Sequence, residues 1–200
     1  MTDLLDNALT SAAGGDPAAM RAIYDTLAPM VFGYLRARGA QEAEDLTSEV
    51  FLAVLPRLTT VTGGGAGLRT LVFSVAHARL VDELRRRSRR EPSAAYDPQL
   101  DPRLSPSAEE SALDSLGDQR VHTLLSGLVP DQRDVLLLRV VADLTVEQVA
   151  VALSKTPGAV KQLQRRGLEA LRRSGVQAQD PAQTPVAPPR PRCGQEGVPL

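Results

Sequence analysis

Residues 157–173, PGAVKQLQRRGLEALRR, place Val160, Leu163, Gly167, Leu168 and Leu171 on one side of a helix and Lys161, Gln162 and Arg165 on the other. Thr156 is suited to accept a hydrogen bond from a free first-turn amide. Pro157 fits the first helical position, where no donor is needed. The outer face suits a polyanion: Lys161 and Arg165 can hold phosphate or guanine, and Gln162 can read adenine. A solvated amphipathic helix is the plainer alternative. Small residues at the front, Gly158 and Ala159, would allow close approach to a duplex.

Two further charge clusters stand apart from this one. LVDELRRRSRR, residues 80–90, carries five arginines between positions 85 and 90. Arg85 and Arg86 open that run, which either tracks phosphate or is simply solvated. AEDLTSEVF, residues 43–51, belongs to a stretch where Glu42, Asp45 and Glu49 share a stripe beside buried Leu46, Val50 and Val54. Acids so spaced repel one another slightly and gain if a basic partner covers them. Carboxylates in pairs also suit acid–base catalysis, but no histidine, nucleophile elbow or phosphate loop accompanies these. The chain is therefore not expected to be an enzyme, and no cofactor or metal is expected. His77 and His122 are isolated and read as structural or surface histidines. The single cysteine, Cys193, excludes an internal disulfide and a cysteine-based metal cluster.

The elements that must carry these groups are helical. The overall net charge is −1, but it is segregated. Residues 61–90 hold seven arginines against two acids, whereas residues 91–130 hold two arginines against seven acids. Alternating blocks of this kind suggest more than one partner surface. Asp16-Pro17 opens a helix to about Leu27, and Pro29 kinks the chain or starts a second helix ending near Gly39. A third helix is expected over 41–58. TTVTGGGAG, residues 59–67, reads as a loop, and a long helix over 68–90 follows. Residues 107–126, 130–141, 145–153 and 157–173 form a second helical set. Its capping boxes are Ser107-Ala-Glu-Glu110 and Thr145-Val-Glu-Gln148.

The fold class is thus all-α. Two small helical domains, 1–90 and 107–173, are joined by an acidic, proline-rich flexible linker, 91–106. Residues 174–200, with six prolines, read as a disordered tail. Helices 145–153 and 157–173 with the turn Ser154-Lys155-Thr156 have the form of a helix-turn-helix. No apolar run is long enough for membrane insertion, and no signal peptide is visible, so a cytoplasmic protein is expected.

AEDLTSEVFLAVLPRL followed by GLRTLVFSVAHARLVDELRRRSRR resembles region two of an extracytoplasmic-function sigma factor. GLVPDQRDVLLLRVVADLTVEQVAVALSKTPGAVKQLQRRGLEALRR resembles region four. The resemblance covers roughly residues 16–173 and implies a bacterial promoter-recognition subunit of RNA polymerase. It implies that Glu42, Asp45 and Glu49 dock on core RNA polymerase. It places Arg79, Arg85 and Arg86 at the minus-ten element of promoter DNA. It places Thr156, Lys161, Gln162, Arg165 and Arg166 at the minus-thirty-five element. An anti-sigma factor is a further expected partner. Leu68 and Leu71 stand where the family commonly has Phe and Trp, and Ala78 where it often has Asn. A free-standing helix-turn-helix repressor is the competing reading. It does not need an acidic face beside an arginine run, and its half-site spacing would suffer from a flexible linker.

Overall fold

A computed structural model describes residues 2–90 and 123–177, and every element in it is helical. The N-terminal bundle comprises α1 (Thr2–Ala13), α2 (Pro17–Ala37), α3 (Ala43–Val54), a 3₁₀ segment (Leu55–Thr60) and α4 (Gly64–Arg90). The C-terminal bundle comprises a helical turn at 123–126, α5 (Pro130–Val140), α6 (Val146–Ala152) and α7 (Pro157–Gln177).

The expected start of α2 is realised: the Asp16 side chain accepts from the Ala18 amide at 3.0 Å, and Pro17 occupies the first turn. A second helix starting at Pro29 is not. The helix continues to Ala37, with Pro29 on its exposed side and Leu27, Ala28 and Val31 buried around it. An interior proline costs about 3 kcal/mol. Burying one continuous apolar stripe on both sides of it outweighs that cost. The third expected helix is shorter than 41–58, because Pro56 converts its end into the 3₁₀ segment.

The glycine-rich stretch 59–67 is also not wholly a loop. It is 3₁₀ to Thr60, then three bridging residues, and α4 already begins at Gly64. A side chain at Gly67 would run into the Thr62 carbonyl oxygen, so the turn closes only over glycine. The start of α4 is capped from α1, which the periodicity did not predict. Asp6 accepts from the Gly65 amide at 2.5 Å, and Leu5, Leu9 and Ala12 of α1 are buried. They join Ile23, Leu35, Val50, Leu68, Val72, Phe73 and Leu80 in the core. Leu68, where an aromatic was noted as missing, is thus a core residue rather than an exposed platform.

The C-terminal bundle follows the sequence closely. Thr145 accepts from the Gln148 amide at 3.2 Å, and the Gln148 side chain accepts from the Thr145 amide at 2.7 Å. This reciprocal pair closes the capping box of α6. Its C-terminal end is a Schellman turn: Lys155 donates to Ala150 O at 2.8 Å and Ser154, at φ +53°, donates to Val151 O. The Ala159 amide then donates to the Thr156 hydroxyl at 3.2 Å and starts α7. Gly167 sits against α5, where an added Cβ would lie 2.9 Å from Leu136 Cδ1. Val160 is fully buried, but Leu168, assigned to the inner face, is 39% exposed. The helix over 107–126 is described only at 123–126. The 107–110 capping box, the 91–106 linker and the tail beyond Gln177 lie outside the described residues.

The two bundles are in contact. α6 packs on α4, and α5 touches α2. Asp134 of α5 is buried and accepts from Arg38 Nε, from Arg38 Nη2 at 3.2 Å and from Tyr34 Oη at 3.0 Å.

Candidate nucleic-acid interface

The helix-turn-helix presents α7 outward. Lys161, Gln162, Arg165 and Arg166 are all exposed, while Val160 and Gly167 anchor the opposite side. The front of the helix is open: nothing lies within 4 Å of a side chain built at Gly158. Thr156 is exposed and already engaged as the cap, so its hydroxyl sets the helix start. Arg165 pairs with Glu169 one turn on, at 3.3 Å, on the exposed surface. Such a pair is worth at most a few tenths of a kcal/mol and yields readily to a phosphate. Behind the reading face, Lys155 pairs with Asp131 of α5 at 2.8 Å, which ties the turn to the bundle.

In the N-terminal bundle, α4 carries Arg79, Arg85 and Arg86 on its exposed surface. Arg86 Nε donates to Asp82 O at 3.3 Å, along its own helix. Glu42, Asp45 and Glu49 are exposed on and just before α3. Asp45 also lies in the first turn of α3, where a carboxylate complements the helix dipole. Glu49 and Arg79 are brought together: their side chains lie 3.9 Å apart. One member of the acidic stripe is therefore next to one member of the basic helix. Leu52, 72% exposed, extends the stripe one turn beyond Glu49. Sequence reasoning passed over it, although its spacing of seven from Asp45 was legible. Ala78 is exposed beside Arg79.

The seam between the bundles holds titratable groups that sequence reasoning did not select. His77 Nδ1 is 2.9 Å from Tyr34 Oη and 4.0 Å from Asp134 Oδ1. Burial pushes the His77 imidazole below its usual range, against the pull of Asp134. Burial and then the neighbouring Asp134 carboxylate hold the Tyr34 hydroxyl well above the ordinary tyrosine range. Arg69, nearly buried, donates to Ala142 O and lies 3.5 Å from Asp143. Among the described residues no cluster of three or more His, Cys, Asp or Glu side chains could hold a metal ion. No described helix is long and apolar enough to cross a membrane.

An all-helical pair of bundles, the second a helix-turn-helix with a basic outer face, defines the class of DNA-binding proteins. Residues 23–90 match the model for Sigma-70 region 2, and residues 124–173 match that for Sigma-70 region 4. The chain is 32% identical over 182 residues to the ECF RNA polymerase sigma factor SigD of Mycobacterium tuberculosis, covering 88% of this chain and 86% of that one. It is 32% identical over 164 residues to BldN of Streptomyces coelicolor, covering 81% of this chain and 62% of that one. In fold it is similar to CnrH in complex with the cytosolic domain of CnrY. That match has a TM-score of 0.64 and 16% identity, and covers 88% of this chain and 99% of that one. The chain belongs to the ECF RNA polymerase sigma factors. It binds core RNA polymerase and promoter DNA, directs transcription initiation, and is not itself an enzyme. The repressor reading is thereby set aside.

Proposed function

We propose a division of labour within this sigma factor. Lys161, Gln162, Arg165 and Arg166, on the helix that Thr156 caps, read the minus-thirty-five element as duplex. Arg79, Arg85 and Arg86 on α4 engage the minus-ten element. Glu42, Asp45 and Glu49 dock on a basic surface of core polymerase. Residues 1–90 and 107–173 act as the two promoter-binding domains, with 91–106 as the connection and 174–200 outside both. The observation that carries this reading is the α7 surface. Four side chains suited to phosphate and base edges are exposed there on a helix capped at its start and braced from behind by α5 and α6.

The protein works in the cytoplasm, where its polymerase is. An anti-sigma factor holds it in reserve, a reading supported by the fold likeness to CnrH bound to a second protein's cytosolic domain. Run-off transcription with core enzyme and candidate promoters tests the whole. Transcripts starting at one promoter class, lost on Lys161→Ala with Arg165→Ala, are the expected result. Unchanged start-site choice in that double variant would overturn the assignment of the α7 face.

A further inference from the structure

An α-helix leaves its first amides without a partner inside the helix. The start of α4 supplies none itself. Its opening residues are Gly64, Gly65, Ala66 and Gly67, and no acid lies in the first turn. The acceptor comes instead from α1, 59 residues back in the chain: Asp6 Oδ1 accepts from the Gly65 amide at 2.5 Å. A carboxylate there also meets the positive end of the helix dipole. The backbone is shaped to admit it. Gly63, at φ +79°, and Gly64, at φ +61°, are both in the left-handed region. A Cβ at Gly64 would run into Asp6 Oδ1. The Gly67 amide donates to Gly63 O at 3.0 Å. Asp6 thus fastens a turn that folds back onto the start of α4.

Core filling does not require this. Leu5, Leu9 and Ala12 bury α1 against α2 and α4 whether residue 6 is charged or not. Asp6 stands beside that apolar stripe, and α1 lies outside the residues 23–90 that match region 2. The segment it fastens is exposed: Thr59, Thr60, Thr62 and Gly63 face solvent, without a charge among them. Arg79, Arg85 and Arg86 lie in the second half of α4. Gly64 and Arg79 are 15 positions apart, about 22 Å at 1.5 Å per residue and about the length of six base pairs. A promoter strand that leaves Arg79 and follows α4 therefore arrives at this turn. Arginines suit phosphates, and threonine hydroxyls suit base edges.

We infer that Asp6 is a positioning residue for promoter recognition: it holds residues 59–64 in the shape that presents their hydroxyls to the minus-ten element. The inference rests on the reading of α4 as the minus-ten helix for what is recognised, but not for the anchoring. Without Asp6, the run Gly63–Gly64–Gly65 has many backbone conformations of similar energy. The segment would then be present but unaimed, while the apolar face of α1 still closed the bundle.

Two measurements on the full chain test it. In amide hydrogen exchange followed by NMR, the Gly65 amide should be protected in the wild type. Asp6→Ala should speed its exchange by about ten-fold or more, together with residues 61–64. Amides of α3 and α7 should not respond, which separates a freed segment from a loosened bundle. In transcription with core polymerase, each variant is scored on single-base changes across the minus-ten element of a promoter that the wild type uses. Asp6→Ala should narrow the spread of transcript levels by about five-fold or more, with core affinity and the response to minus-thirty-five changes unmoved. Asp6→Asn keeps an acceptor oxygen, caps about as well, and should retain both the protection and the preference. A Gly65 amide as protected in Asp6→Ala as in the wild type, an unchanged minus-ten preference in that variant, or an Asp6→Asn as impaired as Asp6→Ala would each overturn the positioning role. A wild type whose Gly65 protection depends on Asp6, but whose transcription ignores minus-ten changes, would uphold the anchor and overturn the functional reading of α4 instead.

Discussion

The outer face of α7 and the seam between the bundles are both charged, and they are charged for opposite reasons. On α7, Lys161, Gln162, Arg165 and Arg166 stand in solvent, with Glu169 as the nearest internal counter-charge to Arg165. Those groups hold little of the fold together, so they are available to an outside partner. In the seam, Asp134, Arg38 and Tyr34 satisfy one another out of water. Removing one member leaves the others uncompensated. Exposed charge is thus read through binding, and buried charge through the arrangement of the molecule itself.

The sharpest way to break that comparison is Asp134→Ala. If the seam stayed shut, Arg38 would be a buried cation without its carboxylate, at a cost of about 3–5 kcal/mol. The bundles can avoid that cost by separating. The expected outcome is therefore loss of the interdomain contact rather than loss of either bundle. In calorimetry a coupled wild-type transition should divide into two, each near the melting point of an isolated bundle. A single lowered transition would mean that Asp134 supports its own bundle and not the seam.

A smaller effect is expected where the acidic stripe meets polymerase. Asp45→Arg with Glu49→Arg should weaken association with core enzyme by ten-fold or more, because each reversal turns an attraction into a repulsion at a basic surface. Both side chains are exposed, so helicity should not change. Glu49→Arg also faces Arg79 at the position of the 3.9 Å pair, and this like-charge contact should cost only tenths of a kcal/mol. Full retention of core binding by the folded double variant would remove the docking role from this stripe.

On α7 the substitutions should separate by kind. A lost phosphate contact, expected for Lys161→Ala or Arg165→Ala, lowers affinity about equally on every sequence and reduces the salt slope by about one. A lost base contact costs about 1–3 kcal/mol and relaxes preference at one position. Gln162→Ala should act mainly on preference, since an amide releases no counterions. Titrations on matched and scrambled duplexes over a range of salt concentrations read both. If all three leave binding unchanged, the outer face is not the reading face.

The contrast between the two regions also explains what was legible in the sequence. The caps of α6 and α7 were readable because they are local: Thr145, Gln148 and Thr156 satisfy amides within three residues of themselves. The α7 face was readable because the 3.6-residue period puts Val160, Leu163, Gly167 and Leu171 on one side and leaves Lys161, Gln162 and Arg165 on the other. α1 was missed because its evidence is tertiary: Asp6 caps a helix that starts 58 residues later, at Gly64. Pro29 misled because the local cost of proline was visible and the buried stripe that offsets it was not. The seam was the least legible, since Arg38 and Asp134 are 96 residues apart. One signal was present all the same. Asp134 lies three and four residues before Leu137 and Leu138, on the stripe that α5 buries, and a carboxylate on such a stripe demands a partner. His77, set aside as isolated, proves to face that partner.

His77 supplies the smallest expected effect. Its Nδ1 lies 2.9 Å from Tyr34 Oη, and burial holds its imidazole below the usual range. Around it, Asp134 and Asp131 favour the charged form, whereas Arg38 and Lys155 oppose it, and burial outweighs them all. A histidine whose folded pKa is depressed binds fewer protons while the bundles are in contact than in a form where it is solvated. The contact then gains stability as pH rises. That contribution is fully present above the ordinary histidine value of about 6.5 and is lost as pH falls below it towards the depressed value. Acidification from neutral pH should therefore modestly lower the compact population, read by energy transfer between dyes on the two bundles, with the change beginning near the ordinary histidine value. His77→Gln should flatten that dependence while leaving the Arg38–Asp134 pair and the compact population at neutral pH largely in place. A compact fraction that rises on acidification in the wild type would mean that the imidazolium's attraction to Asp134 outweighs its desolvation, which reverses the sign argued from the geometry. A pH dependence unchanged in His77→Gln would assign it to another group in the seam.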